Sequence, residues 1–184
     1  MGRGKFSDER YDEIKQEVID MFEECEIDTY PIDCFEIARK LHYVLHPYST
    51  LDAAGYLEAI TISPDAFSRV EQNSETGMFE YVIYYNDQDY NIGHIRWSIF
   101  HEIGHCVLGH HDNPPGNEER EEDEANFFAK YAMTPPPLLN VTRCSCPSDV
   151  EEKFNTSGEF SGYAYEYFQV WLHKGPRDYQ DFEI

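Results

Sequence analysis

The segment His101-Glu102-Ile103-Gly104-His105 limits the possible folds of this chain more than any other feature. It lies near the end of an apolar stretch, 92–108, whose hydrophobic residues recur with helical period and which Gly109 is placed to end. In a helix, residues four apart lie on one face, about 6 Å apart along the axis. The spacing therefore predicts a buried helix that presents two imidazoles to one point.

Two histidines with this spacing, followed by a glutamate after the first, are typical of a catalytic zinc site. Imidazole nitrogen is a good zinc ligand, and zinc lowers the pKa of a water that it binds towards about 7. Glu102 flanks the same helix face as His101 and His105, where it can accept a proton from that water. Two core histidines without a metal are the alternative interpretation of the pattern.

The predicted helix over 118–132 offers the third protein ligand that a catalytic zinc site needs. Glu122 and Asn126 lie four residues apart on one face, so Glu122 can bind the metal while Asn126 orients a ligand imidazole. Glu124 is the alternative ligand if another face of the helix is turned inward. The other acidic residues of this run are expected at the surface: Glu118, Glu119 and Asp123.

His111 is a second candidate for the third ligand. It follows His105 by six residues, the spacing of the third histidine in metzincins. That motif has a glycine three residues after the second histidine, where this chain has Leu108, and Gly109 comes one residue later. The spacing alone leaves both Glu122 and His111 open.

The chain resembles the ImmA/IrrE family of gluzincin-type metallopeptidases. The coupling of an HExxH motif to an ExEANxFA segment is the specific part of the resemblance. It rests on HEIGHCVLGH at 101–110, EDEANFFAKYAMTP at 122–135, YYND at 84–87, PIDCFEIARKL at 31–41 and DVEEKFNTSGEFSGYA at 149–164. By this resemblance the metal ligands are His101, His105 and Glu122, and the general base is Glu102.

The resemblance also implies an activity, a zinc-dependent endopeptidase with a cytoplasmic protein substrate. Members of the family resemble regulators that cleave helix-turn-helix repressors of mobile elements or stress responses. One Zn²⁺ per chain is expected, with Mn²⁺ as the alternative, because carboxylate and imidazole suit several metals. The family usually has two leucines before a Met-Pro, whereas here Tyr131-Ala132-Met133 precedes Thr134 and three prolines. Candidate donors to the oxyanion are Tyr131, Tyr163 and His110.

The remaining patterns predict an α+β fold, mainly helical with a small sheet. A zincin-like domain with an N-terminal helical part is expected over 1–140, and a helical, helix-turn-helix-like segment packed on it over 141–184. Predicted helices are Ser7–Glu24, one from Pro31 that ends before Pro47, a short one from Ser63–Pro64, Asp149–Phe154 and Phe160–Leu172; predicted strands are Leu57–Ile62 and Phe79–Tyr85, with a turn at Glu75–Gly77.

The net charge of −22, from 36 acidic and 14 basic residues, limits the partners of the chain. Such a surface repels the phosphates of nucleic acids and anionic membranes, and it attracts a basic protein such as a DNA-binding repressor. Only Met1–Lys5 is locally basic. No oligomeric state is predicted from the sequence.

Five cysteines, an odd number, match no disulfide framework and are expected to be reduced thiols in the cytosol: Cys25, Cys34, Cys106, Cys144 and Cys146. Cys106 is expected in the core, and Cys144-Ser145-Cys146 in an exposed loop. No stretch is apolar enough for a transmembrane helix, and residues 1–10 lack the apolar centre of a signal peptide. These features predict a cytoplasmic protein.

Two other classes of function remain as alternatives. A binding protein with a structural or degenerate metal site would sequester a basic partner without cleaving it. A DNA-binding regulator would use the predicted helices over Asp149–Leu172, although 158–172 contains no Lys or Arg to meet phosphates.

Overall fold

The computed structural model of the protein describes residues 6–174. The basic stretch Met1–Lys5 and residues 175–184 of the predicted C-terminal segment lie outside the described residues. Backbone contacts divide the chain into two compact units. The central unit is Asp33–Ala129, and the terminal unit combines the residues up to Ile32 with those from Lys130 onward. The boundary at residue 140 stays a prediction.

The fold is α+β, as predicted, with a small mixed sheet. Within residues 6–174 the helices are α1 (Asp8–Glu24), α2 (Cys34–Lys40), α3 (Ala53–Ile62), α4 (Ile92–Val107), α5 (Glu118–Met133), α6 (Pro136–Val141), α7 (Pro147–Phe154) and α8 (Gly158–Lys174). The strands are β1 (Val44–Pro47), β2 (Ala66–Gln72) and β3 (Phe79–Tyr85). They lie in the order β1-β3-β2, with β1 parallel and β2 antiparallel to β3.

The two faces of the sheet contact different helices. Phe67 of β2 is paired with Tyr84 of β3, and both belong to a cluster that includes Ala59 of α3. Since side chains alternate along a strand, Ser68 points to the opposite face. That face is where α4 packs against β2 and β3. The sheet therefore holds Ser68 against the helix that carries the HExxH motif.

Helix α4 has the predicted extent because both of its ends are well formed. The side chain of Asn91 accepts a hydrogen bond from the backbone N–H of His94 at the start. Gly109 follows the last turn with φ +71°, in the left-handed region that glycine adopts without strain. The chain then forms a short 3-10 turn over His110–Asp112 before the loop that leads to α5.

Three elements before α4 differ from the predictions. The second helix ends at Lys40, and Val44–Pro47 is a strand because it pairs with β3, a partner distant in sequence. Leu57–Ile62 is the end of α3, whose start is capped by the Asp52 side chain, and is not a strand. Ser63–Pro64 begins no helix and instead precedes β2.

The predicted strand Phe79–Tyr85, the turn at Glu75–Gly77 and the helical α5 are confirmed. Helix α5 ends at Met133, as the following prolines predicted. Pro136 and Pro137 then begin α6, which was not predicted. Proline is tolerated in a first turn because the N–H groups there have no partner within the helix.

The terminal unit is helical. Helix α1 begins after Ser7, as predicted, and buries Ile14, Val18, Met21 and Phe22 on one face. Helices α7 and α8 confirm the predicted closing pair and pack against each other. Cys144 is buried, so the prediction of an exposed Cys144-Ser145-Cys146 loop is wrong for that residue, whose backbone N–H bonds to the carbonyl of Leu139.

No helix among residues 6–174 is both long and apolar enough to cross a bilayer. All five cysteines are free, and Cys106 is in the core, as predicted.

Candidate metal centre

His101 and His105 lie side by side on α4, one turn apart. Their Nε2 atoms are 3.1 Å from each other, and both side chains are largely buried. This is the juxtaposition that the four-residue spacing predicted. Two ring nitrogens this close together indicate that they bind the same ion or share one proton.

Glu122 approaches the two histidines from α5. Its Oε2 is 3.2 Å from Nε2 of His101, and its Oε1 is 3.4 Å from Nε2 of His105. Gly104 makes this approach possible, because a Cβ at that position would lie only 3.0–3.2 Å from atoms of the Phe128 side chain on α5. A close crossing of α4 and α5 thus brings the three side chains together.

The three atoms fit a zinc ion, which is bound tetrahedrally at about 2.0–2.1 Å by nitrogen and oxygen ligands. Those bond lengths put any two ligand atoms about 3.3–3.4 Å apart. The two nitrogens are 3.1 Å apart, and each lies 3.2 or 3.4 Å from one of the two carboxylate oxygens of Glu122. Among the described residues, His101, His105 and Glu122 form the group of side chains whose ligand atoms lie close enough together to hold a metal ion.

The protonation of the histidines also suits a metal. The pKa of His105 is lowered to about 3, mainly by burial and also by the neighbouring histidines. Burial lowers the pKa of His101 as well, although the charge of Glu122 opposes this. Both rings are therefore neutral at physiological pH, which is the form of imidazole that binds metals.

Glu102 is buried, with 7% of its surface exposed, beside the candidate ligands. Burial raises the pKa of its carboxyl to about 7, against the effect of a hydrogen bond from Ser68. The Ser68 hydroxyl donates that bond to Oε2 over 2.6 Å. A carboxylate with a pKa near neutrality can accept and release protons under physiological conditions.

Ser68 was not predicted as a site residue. Its strand, β2, was not recognised, although the predicted turn before β3 could have indicated an antiparallel partner over the preceding residues. The alternation that brings Ser68 to the α4 face is visible only once that strand is in register with β3.

The group opens onto a cleft of about 580 Å³ within the central unit, a typical size for a ligand site. His101, Glu102, His105 and Glu122 all line it, together with Trp97 and Asn126. One wall is the consecutive stretch Ala66, Phe67 and Ser68 of β2. Because successive side chains of a strand point to opposite faces, three consecutive lining residues indicate that the backbone of β2 faces the cleft.

Neither alternative third ligand lies in the metal-binding group. Nε2 of His111 is 3.0 Å from the hydroxyl of Ser68, and its ring packs on Tyr81. Glu124 contacts His110 and Arg120 instead. The geometry therefore favours Glu122, whose role as a ligand stays a prediction.

The other predicted residues have mixed positions. Asn126 lines the cleft beside His101, where its side chain raises the pKa of the ring against the larger effect of burial. His110 is buried. Tyr131 and Tyr163 belong to the terminal unit, where Tyr131 is buried and Tyr163 is exposed. Glu118 and Glu119 are exposed as predicted, and Asp123 is half-buried.

Comparison with protein-family models gives a match over the part of the chain that carries the candidate site. Residues 58–141 match the family model Peptidase_M78, described as an IrrE N-terminal-like domain. The matched range contains all of α4 and α5, and with them the HExxH segment and Glu122. No curated protein matches the chain in sequence. Residues 58–141 are therefore similar to the Peptidase_M78 family, which supports a metallopeptidase and agrees with the resemblance to ImmA/IrrE proteins.

Proposed function

We propose that the protein is a zinc-dependent endopeptidase, with His101, His105 and Glu122 as metal ligands and Glu102 as general base. The observation that carries this proposal is the close approach of two imidazole nitrogens, 3.1 Å apart, to one carboxylate whose two oxygens lie 3.2 and 3.4 Å from them, beside a buried glutamate. Two histidines and one glutamate are a known ligand set of catalytic zinc. Manganese favours octahedral oxygen ligands, so zinc is the better fit.

Side chains of this protein would perform the proton transfers of peptide hydrolysis. A bound zinc ion would polarise the peptide carbonyl and lower the pKa of the attacking water to about 7. Glu102 accepts the proton of that water and later passes it to the leaving amine. Ser68 holds the carboxylate in place, because its hydroxyl donates to Oε2. The net reaction adds one water across the peptide bond.

An extended peptide would bind along β2. This strand pairs with β3 on one side only, among the described residues, and its first residues line the cleft. Backbone hydrogen bonds to such an edge align a peptide without regard to its sequence. They would lay the scissile bond across the side chains of Glu102 and the three ligands.

The substrate class that suits the charge of the protein is a basic, DNA-binding helix-turn-helix repressor of a mobile element or stress regulon. With a net charge of −22, the protein attracts cationic partners over long range. The repressors whose cleavage the family resemblance implies are cationic, because they bind DNA phosphates.

Metal content by mass spectrometry tests the site. Wild-type protein is expected to hold about one zinc per chain. His101→Ala and Glu122→Gln should lose it, whereas His111→Ala should keep it. Glu119→Gln, an exposed position on the same helix, is the matched control for Glu122→Gln. Zinc lost in His111→Ala but kept in Glu122→Gln would overturn the ligand set.

Cleavage of a repressor tests the activity and separates it from sequestration. Glu102→Gln should retain zinc, because Glu102 is not a proposed ligand, but should lose cleavage. If this variant still inactivates the repressor in equal amounts without cutting it, the protein is a binding protein. If wild type holds no metal even after zinc is supplied, the peptidase proposal fails.

A further inference from the structure

We infer that His110 and Glu124 are positioning residues for the proposed metal ligand His105, joined to it in a buried hydrogen-bonded chain. The inference rests on the proposed function, since it concerns a histidine assigned there to zinc. Neither residue lines the cleft. They act on the site from behind His105.

The first link of the chain is the contact between the two imidazoles. Nδ1 of His110 lies 2.9 Å from Nδ1 of His105, and the rings meet edge to face at 75°. The Nε2 atom of His105 points to His101 and Glu122. When that nitrogen binds a metal, the proton of the neutral ring stands on Nδ1, which donates to His110.

The second link fixes the proton of His110. Its Nδ1 must accept from His105, so the neutral ring carries its hydrogen on Nε2. That nitrogen lies 3.3 Å from Oε2 of Glu124. Both side chains are 4% exposed. A buried carboxylate behind an imidazole holds the ring in one tautomer and increases the basicity of the ligand nitrogen.

Arg120 completes the chain at the surface. Its Nε donates to the other carboxylate oxygen of Glu124 over 2.8 Å, while 63% of its own side chain is exposed. The buried negative charge of Glu124 is thereby paired with an arginine, which stays charged throughout the physiological pH range. Both carboxylate oxygens of Glu124 thus have a partner, Arg120 at Oε1 and His110 at Oε2.

The backbone builds this arrangement from a short piece of sequence. Gly109, with φ +71° and ψ 25°, turns the chain at the end of α4. The next residue, His110, therefore folds back onto His105, one turn earlier on the helix. Helix α5 supplies Glu124, two residues after the proposed ligand Glu122. The same two helices thus provide both the ligands and the residues behind them.

The two proposed histidine ligands differ in the hydrogen bonds made by their Nδ1 atoms. Nδ1 of His101 is buried without a well-formed hydrogen bond, and Asn126 is the polar side chain beside it. Within residues 6–174, the buried chain that ends in a carboxylate stands behind His105 and not behind His101. Loss of His110 should therefore weaken zinc binding through His105 alone.

The test measures the zinc dissociation constant of the purified full chain by competition with a chromophoric chelator. His110→Leu removes the acceptor, and we expect it to weaken zinc binding about 10- to 100-fold. His110→Asn restores an acceptor near the position of Nδ1 and should recover much of the affinity. Glu124→Gln keeps an acceptor for His110 but removes the charge, and should weaken binding to a smaller extent.

Matched controls separate positioning from general damage. His46→Leu replaces a half-buried histidine that stacks on Tyr84, away from the ligands. Glu121→Gln makes the same charge change on α5, in a residue whose carboxylate accepts a hydrogen bond from Asn113. Both should bind zinc like wild type. Thermal unfolding of the zinc-free proteins shows whether each variant is folded.

The outcomes distinguish this inference from the proposed function. If folded His110→Leu binds zinc as tightly as wild type, the inference is wrong and the proposed zinc site is unaffected. If His110→Leu does not fold, wild-type zinc affinity in folded Glu124→Gln leads to the same conclusion. Equal losses in His110→Leu and His110→Asn would overturn the role of the acceptor. A wild-type protein that binds no zinc would overturn the proposed function itself, and the inference with it.

Discussion

Ser68 supplies a hydrogen bond to a buried carboxylate. Glu102 is largely shielded from water, and a buried charge without a donor is costly. The hydroxyl of Ser68 donates to it over 2.6 Å and also lies 3.0 Å from Nε2 of His111. The serine can accept from the histidine while it donates to the glutamate. This side chain therefore links β2 to α4 at the candidate site.

Ser68→Ala should lower the free energy of unfolding by about 1–3 kcal/mol, because Glu102 loses its donor while it stays buried. Zinc content should not change, since Ser68 contacts none of the proposed ligands. Urea unfolding of the zinc-free protein measures the effect, with Ser68→Thr as a control that keeps the hydroxyl. Equal stability of the Ala and Thr variants would contradict this role of the hydrogen bond.

The cysteines should differ in reactivity according to their burial. Burial raises the pKa of Cys34 to about 12, so hardly any of it is thiolate near pH 8, whereas Cys146 is only half-buried. A chromogenic disulfide reagent should therefore react with Cys146 in the folded protein and with Cys34 only after unfolding. Cys146→Ser should remove the fast phase, and Cys34→Ser should leave it. A fast phase that survives in Cys146→Ser would contradict the assignment.

At the scale of elements, the distance between α4 and α5 decides whether the ligands meet. The two helices cross where Gly104 faces Phe128, and a Cβ at Gly104 would come within 3.0 Å of the ring. Glu122 lies on α5 and both histidines lie on α4, so any separation of the helices there moves the carboxylate away from the imidazoles.

Gly104→Ala should lower the free energy of unfolding by about 1–3 kcal/mol, the typical effect of an overpacked methyl group. It should also weaken zinc binding. Gly162→Ala is the control, because its Cβ would meet nothing within 4 Å and should stabilise α8 by about 0.5–1 kcal/mol. Phe128→Leu should partly relieve the defect of Gly104→Ala. Equal changes at both glycines would show that the contact with Phe128 is not the cause.

The elements also show how far the sequence alone could predict the site. Helix α4 and its histidine pair follow from local information, namely hydrophobic period, the four-residue spacing and a glycine stop. Strand β1 does not, because Val44–Pro47 is extended only through pairing with β3, some forty residues away. The unrecognised β2 has the same origin, because its strand is defined by pairing with β3.

The contacts of the candidate site also differ in how far the sequence could predict them. The approach of Glu122 to the histidines was predictable from a helical face with small neighbours. The partners of Ser68 and His110 were not, because they depend on the register of β2 and on the left-handed turn at Gly109. Helical spacing therefore predicts the contacts that depend on helix faces, whereas contacts that depend on strand register or on a left-handed turn need the tertiary structure.

At the scale of the whole molecule, the charge of −22 governs encounters with a substrate. The acidic residues are spread along the chain and include the exposed Glu118 and Glu119 of α5. Like charges at this density extend a negative potential beyond the surface, over about 10 Å at 0.1 M salt. Such a field speeds the arrival of a cation without contributing to the chemical step.

Cleavage of a basic repressor should therefore slow as salt rises. Between about 0.05 M and 0.5 M NaCl we expect kcat/KM to fall on the order of tenfold, because screening removes long-range attraction. The value of kcat should change little, since the buried Glu102 and its neighbours are screened less than surface charges. A repressor whose lysines and arginines outside the cleaved segment are replaced by glutamine should start with a lower kcat/KM and lose the salt dependence. If both substrates respond to salt alike, the charge of the protein does not steer its substrate, and selection lies in contacts along the cleft.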